Sequence, residues 1–183
     1  AYWSNGDQVT AQDFLYAWTT ALSPDLASEY AYQLYYIKNG EAYNKGTATA
    51  ESLGIRVLDD KTIEVTLETP TAYFLSLLSF HTYYPVHRKT VQANPNWAAD
   101  AKTIIGNGPF TMTAWIHNSR IDFAKNPFYW DTSKVKMNKL EFIITESSAT
   151  DFAMFDRNQI DIDDIPQSSE FARMLRNKLL KVT

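Results

Sequence analysis

The sequence predicts a mixed α/β (α+β) fold, on three observations. Residues Thr10 to Leu22 place Ala11, Phe14, Leu15, Trp18, Ala21 and Leu22 at helical spacing. Ile63, Val65 and Leu67 alternate with Glu64, Thr66 and Glu68, the period of a half-buried strand. After Pro109 the same period returns: Phe110, Met112 and Ala114 alternate with Thr111 and Thr113, and Leu140, Phe142 and Ile144 follow suit. Helical and strand periods thus interleave along a chain long enough for one sizeable core or two small ones.

The first helix has the clearest boundaries. Thr10 followed by Asp13 is a near capping box, and it puts a carboxylate in the first turn where the helix dipole favours it. Pro24 stops the helix. At about 100° per residue, Tyr16 falls opposite the apolar stripe, with Gln12, Thr19 and Thr20. It is a large aromatic that the core does not call for.

The remaining elements follow in order. Residues 27–37, "ASEYAYQLYYI", predict a helix, and "NG" at 39–40 with Gly46 predicts a loop. "GIRVLDDKTIEVTLETP" is a hairpin turned by Asp59, Asp60 and Lys61. Residues 72–80, "AYFLSLLSF", are apolar on nearly every side and predict a buried helix. Tyr84 to Val86 read as an extended step, His87 to Ala93 as a short helix, and "NPNWAADAKTIIGNGP" as a loop. "HNSR" at 117–120 turns one strand into the next, and the aromatics of "KNPFYWD" are expected to cover a sheet edge. A helix over 148–157, a short strand and loop in "QIDIDDIP", and a final helix from Ser169 to Lys181 complete the reading. The change of character near Pro70 is the expected domain boundary, dividing 1–70 from 71–183.

Several chemistries are disfavoured. A net charge of −4 gives no basic footprint for nucleic acid, and the densest cationic patch, Arg173 to Lys181, lies on a predicted amphipathic helix. No apolar run approaches the roughly 18–20 residues that span a bilayer. With no cysteine there is no disulfide, thiolate metal site or cysteine nucleophile. "GNG" at 106–108 fails the dinucleotide fingerprint, which needs Gly where Thr111 stands, and the Walker loop, which needs Gly-Lys-Ser/Thr where "GPF" stands. "DIDD" at 161–164 fails the calcium loop, because Pro166 and Ala172 occupy the Gly and Glu positions. His81, His87 and His117 match no zinc spacing. A Ser-His-Asp triad leaves no local spacing to read, but no Gly-x-Ser-x-Gly elbow is present. Eleven tyrosines and five tryptophans exceed what a core requires and suit a surface that grips backbone or sugar.

Read together, several stretches resemble one family. "WSNGDQVTAQDFLYAW", "LGIRVLDDKTIEVTLETPTAYFLSLLSF", "YYPVHRKTV", "IIGNGPFTMTAWIHNSRIDFAKNPFYWD" and "QIDIDDIP" are similar, in the same order, to the extracytoplasmic oligopeptide-binding proteins of ABC importers. These are solute-binding protein family 5, the oligopeptide, dipeptide and nickel-binding group. The resemblance implies an internal fragment of a chain about three times as long, with two lobes, a hinge and an extra small domain. On that plan residues 1–70 are the latter part of the small domain and residues 71–183 the central part of the first lobe, with the second lobe absent. It further implies capture of short peptides for a membrane permease, without catalysis, metal or cofactor, in an extracytoplasmic setting, either periplasmic or as a cell-surface lipoprotein. A dipeptide, a nickel complex or a signalling pheromone are the alternative ligands within the family, and a stand-alone hydrolase is the rival outside it. Tyr16 matches the family's peptide-contacting tyrosine in Phe-x-Tyr-x-Trp. Asp164 matches a loop that approaches the cleft, and Asn107 and Gly108 are further peptide-binding candidates. Exposed sheet edges of such a fragment imply self-association.

Overall fold

The computed structural model describes residues 1–163. Helix α1 spans Ala11–Leu22. The Thr10 N–H and hydroxyl both donate to Asp13 Oδ2, at 2.9 and 3.0 Å, so the capping box predicted from sequence forms. At the other end Asn44 Nδ2 donates to the Leu22 carbonyl at 2.9 Å, supplying a partner to a carbonyl that the helix itself leaves open.

The face of α1 carrying Ala17, Trp18 and Leu22 builds the core, together with Leu34, Ile37, Leu53, Ile55 and Tyr83. Leu22, Leu34 and Ile37 are wholly buried, each contributing about 1.5–3 kcal/mol of transfer free energy. Trp18 donates its indole N–H to the Tyr83 carbonyl at 2.8 Å, and the two rings meet edge-on at 5.7 Å and 84°. The Tyr83 hydroxyl in turn donates to the Gln33 carbonyl. One aromatic pair therefore ties α1 to two distant segments.

Strands β1 (Ile55–Asp59) and β2 (Thr62–Val65) form the predicted antiparallel hairpin, with a register shift between Val57 and Asp59. Ile63, Val65 and Leu67 turn inward while Glu64, Thr66 and Glu68 face out. Gly54 lies between Lys38 and Thr66, donating to the Lys38 carbonyl and accepting from the Thr66 N–H. A Cβ there would sit 2.4 Å from the Thr66 carbonyl oxygen, so the hairpin can close on residue 38 only through glycine.

Three expectations fail between these elements. Residues 27–37 make no α-helix: Ala27 turns left-handed (φ 49°) and only a 3₁₀ turn, Ala31–Leu34, follows. Burying both Leu34 and Ile37, and bridging Ile37 to Leu67, outweighs local helical preference. The expected loop at 39–46 contains a short helix, α2 (Gly40–Asn44), launched from a left-handed Asn39 (φ 59°). The expected buried helix at 72–80 shrinks to one turn, α3 (Phe74–Leu77), with no buried residue. Leu75 is 79% exposed, while Phe74, Leu77, Leu78 and Phe80 reach the core from around that turn. The Ser79 hydroxyl donates to the Ser76 carbonyl at 2.8 Å, taking an acceptor the helix would need to continue. The core runs on past Pro70, since these residues and Val86 pack against α1's cluster.

After a 3₁₀ turn (His81–Tyr83), α4 (Arg88–Ala93) follows, with His87 as its N-cap. Beyond the predicted loop, β3 (Phe110–Ile116), β4 (Arg120–Lys125) and β5 (Lys139–Ile143) form an antiparallel sheet in that order. Its connection through 117–120 turns on a left-handed Asn118 (φ 58°). Phe142, Ile143 and Ile144 remain exposed on this sheet. Of the aromatics in 125–131, Tyr129 is half-buried, Trp130 is 72% exposed, and Phe128 lies beside Gly6. Helix α5 (Ser148–Asp156) matches the predicted 148–157. Residues 159–163 form no strand, and the rest of "QIDIDDIP" and the predicted helix at 169–181 lie outside the described residues.

Burial pushes the Tyr83 hydroxyl up to about 12, against about 10 for a free tyrosine. The folded state therefore keeps this proton where the unfolded chain has lost it. The stabilisation is complete below about pH 10 and is lost as pH rises from about 10 to about 12. Urea midpoints measured across that window should fall, and Tyr83→Phe should flatten the fall; an unchanged slope in the variant would refute the assignment.

Candidate functional site

The site is built around the polar side of α1. The stripe 12, 16, 19, 20 faces away from Trp18 and Leu22, and Tyr16 stands half-buried in its middle. Its hydroxyl has no hydrogen-bond partner among the described residues. Two hollows share Tyr16 as a wall. One, of about 390 Å³, runs along Gln12, Leu15 and Thr19 toward Glu51, Arg88 and Gln92. The other, of about 430 Å³, opens on the far side toward Tyr30, His81, Tyr84 and Trp97.

The placement of Arg88 against α1 depends on buried polar groups. Asp13 is buried and collects the Trp3 indole N–H at 3.3 Å and the Arg88 backbone N–H at 3.2 Å, besides the two donors of Thr10. His87, also buried, accepts the Thr90 N–H on Nδ1 at 3.3 Å, with the Thr90 hydroxyl 2.6 Å away. With Nδ1 accepting, the ring proton sits on Nε2 and faces Asp7 Oδ2 at 2.9 Å. That hydrogen bond, followed by the one donated by Asn5 Nδ2 and the charge of Lys89, holds the Asp7 carboxyl below the usual carboxylate range. The Trp3 ring meets the His87 ring edge-on at 5.4 Å. Residues 3–13 and 87–90, far apart in sequence, are thereby locked together, and the start of α4 is held against α1. Asp13→Asn removes the charge that holds four donors and should cost roughly 2–3 kcal/mol; urea unfolding checks it, and a midpoint equal to that of the parent would refute the role.

The other sequence-derived candidates lie elsewhere. Asn107 and Gly108 sit in the loop before β3 and line neither hollow. The Gly108 carbonyl accepts Asn126 Nδ2 at 2.8 Å, and neighbouring Gly106 accepts the Ser4 N–H at 2.7 Å, so the loop's polar groups brace the start of the sheet. Asp164 lies outside the described residues. Tyr30, His81, Tyr84 and Trp97 were missed by sequence reasoning; the surplus of tyrosine and tryptophan signalled such a wall without saying which residues formed it. Among the described residues no three His, Asp or Glu side chains are grouped to hold a metal, and no helix is long and apolar enough to cross a membrane.

Comparison with known proteins gives a consistent result. The profile of the bacterial extracellular solute-binding proteins, family 5 (middle region), matches residues 1–183. The chain is 44% identical over 165 residues to the oligopeptide-binding protein OppA of Bacillus subtilis, covering 90% of this chain and 30% of that one. It superposes on the substrate-binding domain of an oligopeptide ABC transporter from Bacillus anthracis with a TM-score of 0.91 at 38% identity, covering 97% of this chain and 34% of that one. Against Listeria monocytogenes OppA bound to peptide the TM-score is 0.89 at 36% identity, covering 97% and 35%. The chain thus spans about a third of the length of these relatives, whose fold is the two-lobed binding-protein fold. On a match over its whole length, it belongs to the bacterial extracellular solute-binding proteins of family 5.

Proposed function

We propose that this chain is the middle portion of the substrate-binding component of an ABC peptide importer, and that Tyr16 touches the bound peptide. The observation that carries the reading is Tyr16 itself: an aromatic on the polar face of a rigid helix, between two hollows, with no partner for its hydroxyl among the described residues. A phenol so placed offers a flat apolar body to a peptide and a donor to its backbone. Asn107, Gly108 and Asp164 belong to the proposal as more distant candidates. The role is capture rather than catalysis: a second lobe closes by hinge motion over a short peptide, and the closed form is presented to permease subunits. Backbone hydrogen bonds give affinity for peptides of varied sequence, and the pockets beside them add what side-chain preference there is. The setting is extracytoplasmic, either periplasmic or as a lipid-anchored surface protein. No metal or cofactor takes part.

Titration calorimetry of tetra-alanine with the long protein carrying this chain tests the reading. Tyr16→Ala should weaken binding about tenfold, or about 1.4 kcal/mol. The 183-residue chain alone, with one wall of the cleft, should show no sub-micromolar binding. An unchanged affinity in Tyr16→Ala would remove Tyr16 from the site. Among the described residues neither β3 nor β5 pairs with a further strand on its outer side, which supports self-association by strand pairing. Gel filtration should then show a dimer or larger species, and a monomer at all concentrations would exclude it.

A further inference from the structure

The two hollows beside Tyr16 differ in chemistry, and the difference bears on what each can hold. The first contains a cation and an anion, Arg88 and Glu51, with glutamine and threonine between them. The second contains no Asp, Glu, Lys or Arg among the described residues. Five rings, those of Tyr16, Tyr30, His81, Tyr84 and Trp97, line it, and aliphatic side chains with the hydroxyls of Thr20, Ser28 and Thr82 complete the wall.

Two of those rings meet edge-on. Tyr30 meets His81 at 5.3 Å and 83°, and Phe80 behind it at 5.4 Å and 63°. The Tyr84 hydroxyl donates to the Ser79 carbonyl at 2.8 Å, so its proton is already engaged. A carboxylate or ammonium entering this hollow would lose hydration and meet no Asp, Glu, Lys or Arg side chain among the described residues. An aromatic ring would instead bury apolar area and extend the edge-to-face packing. The volume, about 430 Å³, is ample for one side chain with some water beside it.

We infer that the ring-lined hollow is a side-chain subsite selecting an uncharged aromatic residue of the bound peptide, with Tyr16 as the ridge that separates it from the hollow carrying Arg88 and Glu51. This rests on the peptide-capture reading above. Charge in the ligand is accommodated on the Arg88 side of Tyr16 and rejected on the Trp97 side.

The test uses the long protein carrying this chain and titration calorimetry. The probes are tetra-alanine and derivatives with Phe, Asp or Lys at one position at a time. At one position Phe should bind about tenfold or more tighter than both Asp and Lys. Two variants should cut that preference over Asp to about threefold or less: Trp97→Ala by removing a ring, and Ser28→Lys, at the same wall, by giving Asp a partner. Unfolding midpoints for both variants establish that they fold, and Thr82→Lys, on the same wall, replaces either one that does not. If tetra-alanine binds but Phe, Asp and Lys stay within about threefold at every position, the subsite is wrong and peptide capture stands. A preference that survives the variants also overturns the subsite. If no probe binds to a folded protein, the capture reading fails and the subsite with it.

Discussion

The hydrogen bond from the Trp18 indole to the Tyr83 carbonyl is the constraint on which the rest of this structure turns. Both groups lie in the core, where either one unpaired would cost about 1–3 kcal/mol. α1 is therefore held in the rotation that completes the bond. Tyr83 cannot move to suit another rotation, because its hydroxyl is bound to the Gln33 carbonyl and its ring meets Phe74 edge-on. Helix, 3₁₀ turn and the 31–34 segment are fixed by a single pair of rings. Tyr16 lies two residues before Trp18, about 200° around the helix, so fixing Trp18 inward fixes Tyr16 outward.

The N-terminal end of the same helix is held by a different kind of interaction. Asp13 is a buried carboxylate that avoids the cost of burial by accepting four hydrogen bonds. One of those donors is the backbone of Arg88, 75 residues away. Core rings thus set the rotation of α1, and a buried charge sets the approach of α4 to it. Together they shape the wall between the two hollows, on a rigid element rather than on a loop. Such support fits the peptide capture proposed above, because a flexible ligand can be gripped reproducibly only if the gripping surface is ordered beforehand.

The sheet formed by β3, β4 and β5 stands in contrast. It has good internal pairing and a buried Asn126 at its base, yet Phe142, Ile143 and Ile144 stay exposed. Apolar side chains in that arrangement stabilise nothing until another surface covers them. Matching relatives about three times as long supply ample chain to do so.

Local periodicity made α1, the β1–β2 hairpin, the strands near 110, 120 and 140, and α5 readable, because each depends on neighbours a few residues away. The outward direction of Tyr16 was readable for the same reason, since a helix with one apolar stripe leaves only one other side. Residues 27–37 and 72–80 were misread because burial of Leu34, Ile37 and Phe80 against partners far along the chain overrode their local preferences. The hollows were unreadable for a stronger reason. Tyr16, Tyr30, Trp97 and the turn carrying both His81 and Tyr84 come from four separate segments, and no spacing rule relates those segments. Their meeting follows from long-range packing around Trp18 and Tyr83, and that contact exists only once the chain has folded.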